Sequence, residues 1–449
     1  MPRTFHLLSA CSLIALSACN AASTFSPPNA RSAAFSYGPA AATASSRLKH
    51  VVIIIQENRS FDNLFHGFKG ATYATFGKTS TAGKVPLHAI SLSGVDVAHH
   101  WNDAMTSWDH GAMDGFDKLL LANGQKASAY PYAYVAPKYI APYWTMASRY
   151  VLADHMFPTM FGPSFTGHLD LIAGTTNLNP SSAEVDNPSA SPWGCDAPSG
   201  TFTYVLNVAR VISRGPFPCF TQFHTLADVL DDAHVSWRYY APPVSSPNGG
   251  IWSEFDAIHN VRYGSDWKNV ISPQTRVITD AQSGNLPSVA WVVPDAVDSD
   301  HESQNDNGGP SWVAAVVNAI GRSRDWKSTA IVVVWDDWGG WYDSVPPPQR
   351  DFRGLGIRVP CIVISPYAKA HYVSHTVYEF GSIVRLVKEV FGLSPLGTRG
   401  AGYTDTRAAS MLDSFNFNRK PRPFHVIPAT QPASFFLRQA PSYQLPDEE

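Results

Sequence analysis

The chain has 449 residues, 44% of them hydrophobic and 15% charged, with a formal net charge of −3. That balance excludes disordered, fibrous and multi-spanning classes, and it offers no basic field for nucleic acid. Thirty-five prolines and 31 glycines indicate many long, shaped loops, where substrate contacts usually sit.

Residues 1–19, "MPRTFHLLSACSLIALSAC", read as a signal peptide, with Arg3 ahead of an apolar stretch and small residues after it. Leu16-Ser17-Ala18-Cys19 resembles a lipobox that would be lipidated at Cys19, and plain cleavage within "SACNAA" is the alternative. The protein is therefore expected to be exported, as a periplasmic or outer-membrane lipoprotein or in secreted form, with a peripheral lipid anchor. Residues 20–47 are small, polar and proline-containing, which predicts a flexible tether. One domain is expected over 48–449.

Residues 50–55, "HVVIII", are a continuous apolar run of the kind buried on both faces of a parallel sheet. The run ends in Gln56-Glu57-Asn58. Further along, "VAHHWNDAMTSWDHGAMDGF" (97–116) carries His99 and His100 beside Trp101. In "GPSFTGHLDLIAG" (162–174) a Gly-Pro break precedes a predicted helix, which puts Ser164 at or near its start. A serine there is a preferred cap, yet a helix start is also where backbone N–H groups can face a phosphate. Cys195 and Cys219 suit a disulfide in an oxidising compartment, and Cys361 reads as a buried thiol.

Three more apolar runs follow at 288–293, 329–335 and 359–365, with helical patterns at 310–326 and 378–392. The alternation predicts an α/β layered domain. His301 falls in an acidic loop after the 288–293 strand, and Asp336-Asp337 follow the 329–335 strand directly. Ligands of open parallel sheets bind at the carboxyl ends of the strands. Glu57, Asp336 and Asp337 should then share one edge, where three carboxylates repel unless a cation sits among them. Strand-end carboxylates also cap helices and form ion pairs. An adjacent Asp-Asp after a fully apolar strand is harder to explain that way.

The motifs in order resemble a bacterial phosphoesterase family that includes non-specific phospholipases C and acid phosphatases, within the alkaline-phosphatase-like superfamily. They are "QENRSFDNLF" from 56, "HxWN…GxMDGF" over 99–116, "GPS" at 162–164, "DDWGGWYD" at 336–343 and "GIRVPCIVISPYA" at 356–368. The resemblance implies a three-layer domain with a mostly parallel central sheet and long loop insertions. It implies one divalent metal ion (Mg, Ca, Mn or Zn) held by Glu57, Asn58, Ser164, Asp336 and Asp337. Ser164 is the implied nucleophile, and His99 and His301 the implied phosphate-binding or proton-donating groups, although His100 adjoins His99. The implied substrate is a small phosphate ester or a phospholipid. This sequence departs from the family where Thr166 and Gly167 follow the nucleophile, and where Ser344 stands at a common histidine position. If Ser344 silences the site, the alternative is a surface-anchored binding protein that keeps the fold.

Overall fold

The computed structural model describes residues 37–301, 308–443 and 445. Its centre is a nine-stranded sheet. In chain order the strands are β1 (His50–Gln56), β2 (Val151–Phe157), β3 (Trp237–Tyr240), β4 (Val270–Ile271), β5 (Val289–Val292), β6 (Thr329–Trp335), β7 (Val359–Ile364), β8 (Tyr372–Ser374) and β9 (Tyr378–Glu379). They lie in the order β4-β3-β5-β1-β6-β7-β2-β8, with β9 also on β2. Val51–Ile55 are completely buried, as the unbroken apolar run predicts. Each such side chain contributes about 1.5–3 kcal/mol by leaving water. The mixed α/β architecture with a mostly parallel central sheet is as expected from the sequence.

One strand departs from that expectation. The apolar pattern of 359–365 groups it with the parallel strands, but β7 is antiparallel to both β6 and β2. Direction is not encoded in an apolar run, so periodicity alone cannot supply it. Because β7 reverses twice, β2 again runs parallel to β6. The carboxyl ends of β1, β5, β6 and β2 therefore emerge on one edge of the sheet.

The main helices are α1 (Pro39–Arg47), α2 (Trp101–Trp108), α3 (Ser164–Ala173), α4 (Gly308–Arg322) and α5 (Phe380–Phe391). Residues Pro39–Arg47 correct the tether expectation: they form a helix whose Ala44 joins the core. Tyr37 donates a hydrogen bond to the Leu393 carbonyl just beyond α5. The signal-peptide and lipobox residues lie outside the described residues. Cys195 and Cys219 form a disulfide, and Cys361 is a buried free thiol.

Candidate active site

Strands β1 and β6 stay zipped beyond their last residues. Asp336 N–H donates to the Gln56 carbonyl at 2.9 Å, and Arg59 N–H to the Asp337 carbonyl at 3.1 Å. Asn58 takes a left-handed backbone conformation, φ +59°, which asparagine tolerates better than most residues. Its N–H then donates to Asp336 Oδ1 at 3.0 Å. Gly339 faces this turn so closely that a Cβ would lie 2.1 Å from the Asn58 carbonyl oxygen. Both loops must be this tight to bring Glu57, Asn58, Asp336 and Asp337 together.

Strand β2 delivers the fifth expected residue to the same edge. Its chain continues through residues 158–163 into α3, where Ser164 is the first helical residue and Pro163 precedes it in extended backbone. Ser164 does not cap the helix. Its Oγ lies 3.3 Å from Asp337 Oδ2 and 3.4 Å from Asn58 Oδ1. The helix start is also not arranged as an anion cradle. Phe165 N–H donates to Asn187 Oδ1, and Thr166 N–H to the Pro163 carbonyl.

Gly167, noted as a departure from the family, has a steric reason. A Cβ there would meet the Asp336 carbonyl oxygen at 2.5 Å, so only glycine lets α3 approach β6 this closely. One residue on, His168 Nε2 sits 3.0 Å from Glu57 Oε1 and 3.7 Å from Asp336 Oδ2. Its spacing from Ser164 is the signal for the position it takes, because residues i and i+4 share a helix face.

The site is electrostatically unbalanced. Glu57, His168 and Asp336 are all buried, with their ligand atoms within 4.8 Å of one another. Burial pushes Glu57 up to about 8, and burial with the neighbouring Glu57 carboxylate holds Asp336 well above the ordinary range. Burial also lowers His168, so the imidazole is neutral and supplies no countercharge. Glu57 Oε2 and Asp336 Oδ2 have no hydrogen-bond donor among the described residues. They must therefore face each other across a shared proton or a cation. Oxygen-rich donors with orphaned carboxylate atoms fit a hard divalent ion.

The histidines divide differently from expectation. His99 Nδ1 lies 2.7 Å from the Val97 carbonyl, which fixes the ring proton there and leaves Nε2 to accept from Asn58 Nδ2 at 2.9 Å. Both ring nitrogens are committed, and the ring turns Asn58 Oδ1 toward Ser164. His301 is buried, with its ring centroid 6.4 Å from that of His99 and its Nε2 4.0 Å from Asp96 Oδ2. His100 is the more open ring. Its Nδ1 meets Asp186 Oδ1 at 2.5 Å, and Asp186 precedes Asn187, the residue that holds Phe165 N–H. Burial alone would lower His100, but the Asp186 carboxylate outweighs it and raises the imidazole above its ordinary value. Asp186 lies just after the short strand Ser182–Glu184, where nothing in the sequence marks it as a partner of His100.

Ser344 stands apart from the cluster. Its N–H donates to Asp62 Oδ2, within a network in which Arg358 bridges Asp62 and Asp343.

The chain is similar in sequence to phospholipase C A of Mycobacterium tuberculosis, 26% identical over 447 residues, covering 83% of this chain and 78% of that one. Non-hemolytic phospholipase C of Pseudomonas aeruginosa is 25% identical and covers 86% of this chain, which spans 60% of that enzyme. A solved structure of a protein in the alkaline phosphatase superfamily from Vibrio parahaemolyticus aligns over 77% of this chain and 67% of its own. Its identity is 12% and its TM-score 0.36. The phosphoesterase family profile matches residues 48–394, which hold every residue of the cluster. The chain belongs to the phosphoesterase family and is a phosphate-ester hydrolase.

Proposed function

We propose that this hydrolase is exported, depends on a divalent cation, and cleaves phospholipid headgroup esters through a phosphoserine formed on Ser164. The observation that carries this reading is the convergence of Ser164 Oγ, Asn58 Oδ1 and Asp337 Oδ2 beside two orphaned carboxylate oxygens. The names of the phospholipase C relatives support the substrate class.

Glu57, Asn58, Asp336, Asp337 and Ser164 would hold the ion, which when bound supplies positive charge against the charge developing on the phosphoryl group. Asp337 Oδ2 is near enough to accept the Ser164 proton as Oγ bonds to phosphorus. The bond from phosphorus to the leaving oxygen then breaks. His100, kept protonated by Asp186, gives that oxygen its proton. In the second half the neutral His100 takes a proton from water as it attacks phosphorus, the bond from phosphorus to Ser164 Oγ breaks, and Oγ takes back its proton from Asp337. His99 acts as a positioning residue through Asn58, and His301 offers a further imidazole to the phosphate oxygens.

Hydrolysis of a chromogenic phosphocholine diester and of a chromogenic phosphate monoester, each with and without chelator, tests the reading. Turnover of the diester, lost with chelator and in Ser164→Ala, is expected. Turnover of the monoester alone would reject the phospholipid substrate, and an active Ser164→Ala would reject the nucleophile. Export by a lipidated Cys19 predicts that Cys19→Ser releases the protein from membrane fractions, and continued membrane association would reject it. Among the described residues no helix is long and apolar enough to cross a membrane.

A further inference from the structure

A second group of potential metal ligands lies on β2, away from the Glu57 cluster. Opposite β7, Met156 pairs with Val359 and Ala153 with Cys361, so three steps along β2 answer two along β7. The extra residue is a bulge, a device that re-aims side chains. It lets the consecutive residues Asp154 and His155 meet, with His155 Nδ1 2.7 Å from Asp154 Oδ1. On the other side of β2 the neighbouring strand is broken. β8 pairs with Val151–Ala153, and β9 with Met156–Phe157. The gap between β8 and β9 falls alongside Asp154 and His155, and His375 enters there. Its Nδ1 is 3.0 and 2.9 Å from the two Asp154 oxygens.

We propose that Asp154, His155 and His375 form a second cation site, suited to a borderline divalent transition metal such as zinc. Two imidazole nitrogens and one carboxylate are a donor set that zinc takes readily, whereas the Glu57 cluster offers mostly oxygen. The three ligand atoms lie within 4.8 Å of one another. Donors of a tetrahedral zinc at bond lengths of about 2.0–2.1 Å stand roughly 3.3 Å apart, so each imidazole need draw back from Asp154 by only a few tenths of an ångström. His375 can supply that movement, because its side chain is 59% exposed. Asp154 itself is completely buried, and its Oδ2 accepts from Thr72 N–H at 2.8 Å, the kind of outer contact that fixes a ligating carboxylate. Burial would raise Asp154, but the hydrogen bonds from His155 and Thr72 outweigh it and keep the carboxylate ionised.

The open side at His375 leaves room for a water as fourth ligand. Without an ion, both rings hydrogen-bond the one carboxylate. With zinc bound, the break between β8 and β9 is clamped to β2, the strand that leads into Ser164. The ion then acts on stability, and the fold gains from it in proportion to its concentration over Kd.

The test is zinc binding by the chelator-treated full-length protein, read by equilibrium dialysis and elemental analysis. Wild type is expected to bind one equivalent more than His155→Ala/His375→Ala, whatever the Glu57 cluster holds. Zinc should raise the melting temperature of wild type by more than that of the double variant. His375→Ala alone, at a largely exposed position that folding tolerates, should weaken this equivalent by about 10–100-fold. The Asp336→Asn/Asp337→Asn variant should keep it, so failure of the hydrolase reading and failure of this site give different results. Equal zinc stoichiometry in wild type and the double variant, or unchanged affinity in His375→Ala, would overturn the proposal.

Discussion

The loops after β1 and β6 meet twice, and both times a carboxylate from each is buried. In one place Asp62 and Asp343 share Arg358, whose Nη2 is 3.0 Å from Asp62 Oδ1 and whose Nε is 3.0 Å from Asp343 Oδ1. In the other, Glu57 and Asp336 meet the His168 ring, whose pKa burial lowers, and Asp336 Oδ1 accepts from Asn58 N–H, while no described arginine pairs with either carboxylate. The fold builds in a guanidinium where only structure is at stake. It leaves the neighbouring pair without one. A buried like-charged pair costs several kcal/mol unless paired or neutralised, so the second arrangement needs a shared proton or a cation, and the function proposed above assigns it a cation.

The comparison can be broken at either pair. Asp336→Asn/Asp337→Asn should cost at least about 10³-fold in turnover, the scale expected when charge stabilisation is lost from such a site. The metal-free variant should melt no lower than metal-free wild type, because it loses repulsion rather than a contact. Activity assays and thermal melts on the same preparations check both halves. Arg358→Met should do the reverse. Stranding Asp62 and Asp343 should destabilise the protein by about 3–5 kcal/mol in urea unfolding, while cation binding per folded molecule survives.

A smaller effect tests the proton donor. Asp186→Asn should slow turnover by roughly 10²-fold. It should also move the alkaline limb of the pH–rate profile to lower pH, because His100 loses the carboxylate that keeps it charged.

The smallest effect concerns Glu184, which burial pushes up to about 8 against the opposing hydrogen bond with Thr203. The native state keeps a proton there that the unfolded chain gives up near pH 4.5. Stability should therefore fall as pH rises from about 4.5 to about 8, the sign required when the native state binds more protons. Glu184→Gln should flatten that slope in denaturation curves collected across the range.

Much of this layout was legible in the sequence for local reasons. Val51–Ile55 and the 329–335 run declare buried strands, and the polar residues directly after them declare the sheet edge. Long-range features were not legible. The reversal of β7 depends on which strands flank it. β2 carries no unbroken apolar signal because Asp154 and His155, the residues its bulge turns aside, interrupt its run. α1 was hidden by a stretch of small residues that reads as a linker until Ala44 is seen against the core. Among the site residues, Glu57, Asn58, Ser164, Asp336 and Asp337 were named from motif and spacing, and the fold brings them together. His99 carries an expected phosphate contact, whereas its Nδ1 meets the Val97 carbonyl and its Nε2 the Asn58 amide. That distinction depends on the Val97 carbonyl and the Asn58 amide, which only the folded backbone presents.

The measurement that bears most directly on the central claim is a titration of chelator-stripped protein with Mn²⁺, with bound ion and ester turnover followed in the same samples. Negligible turnover is expected at the start, rising in step with occupancy of a site that Asp336→Asn/Asp337→Asn lacks. Full turnover by the stripped protein, or turnover restored equally in that variant, would contradict it.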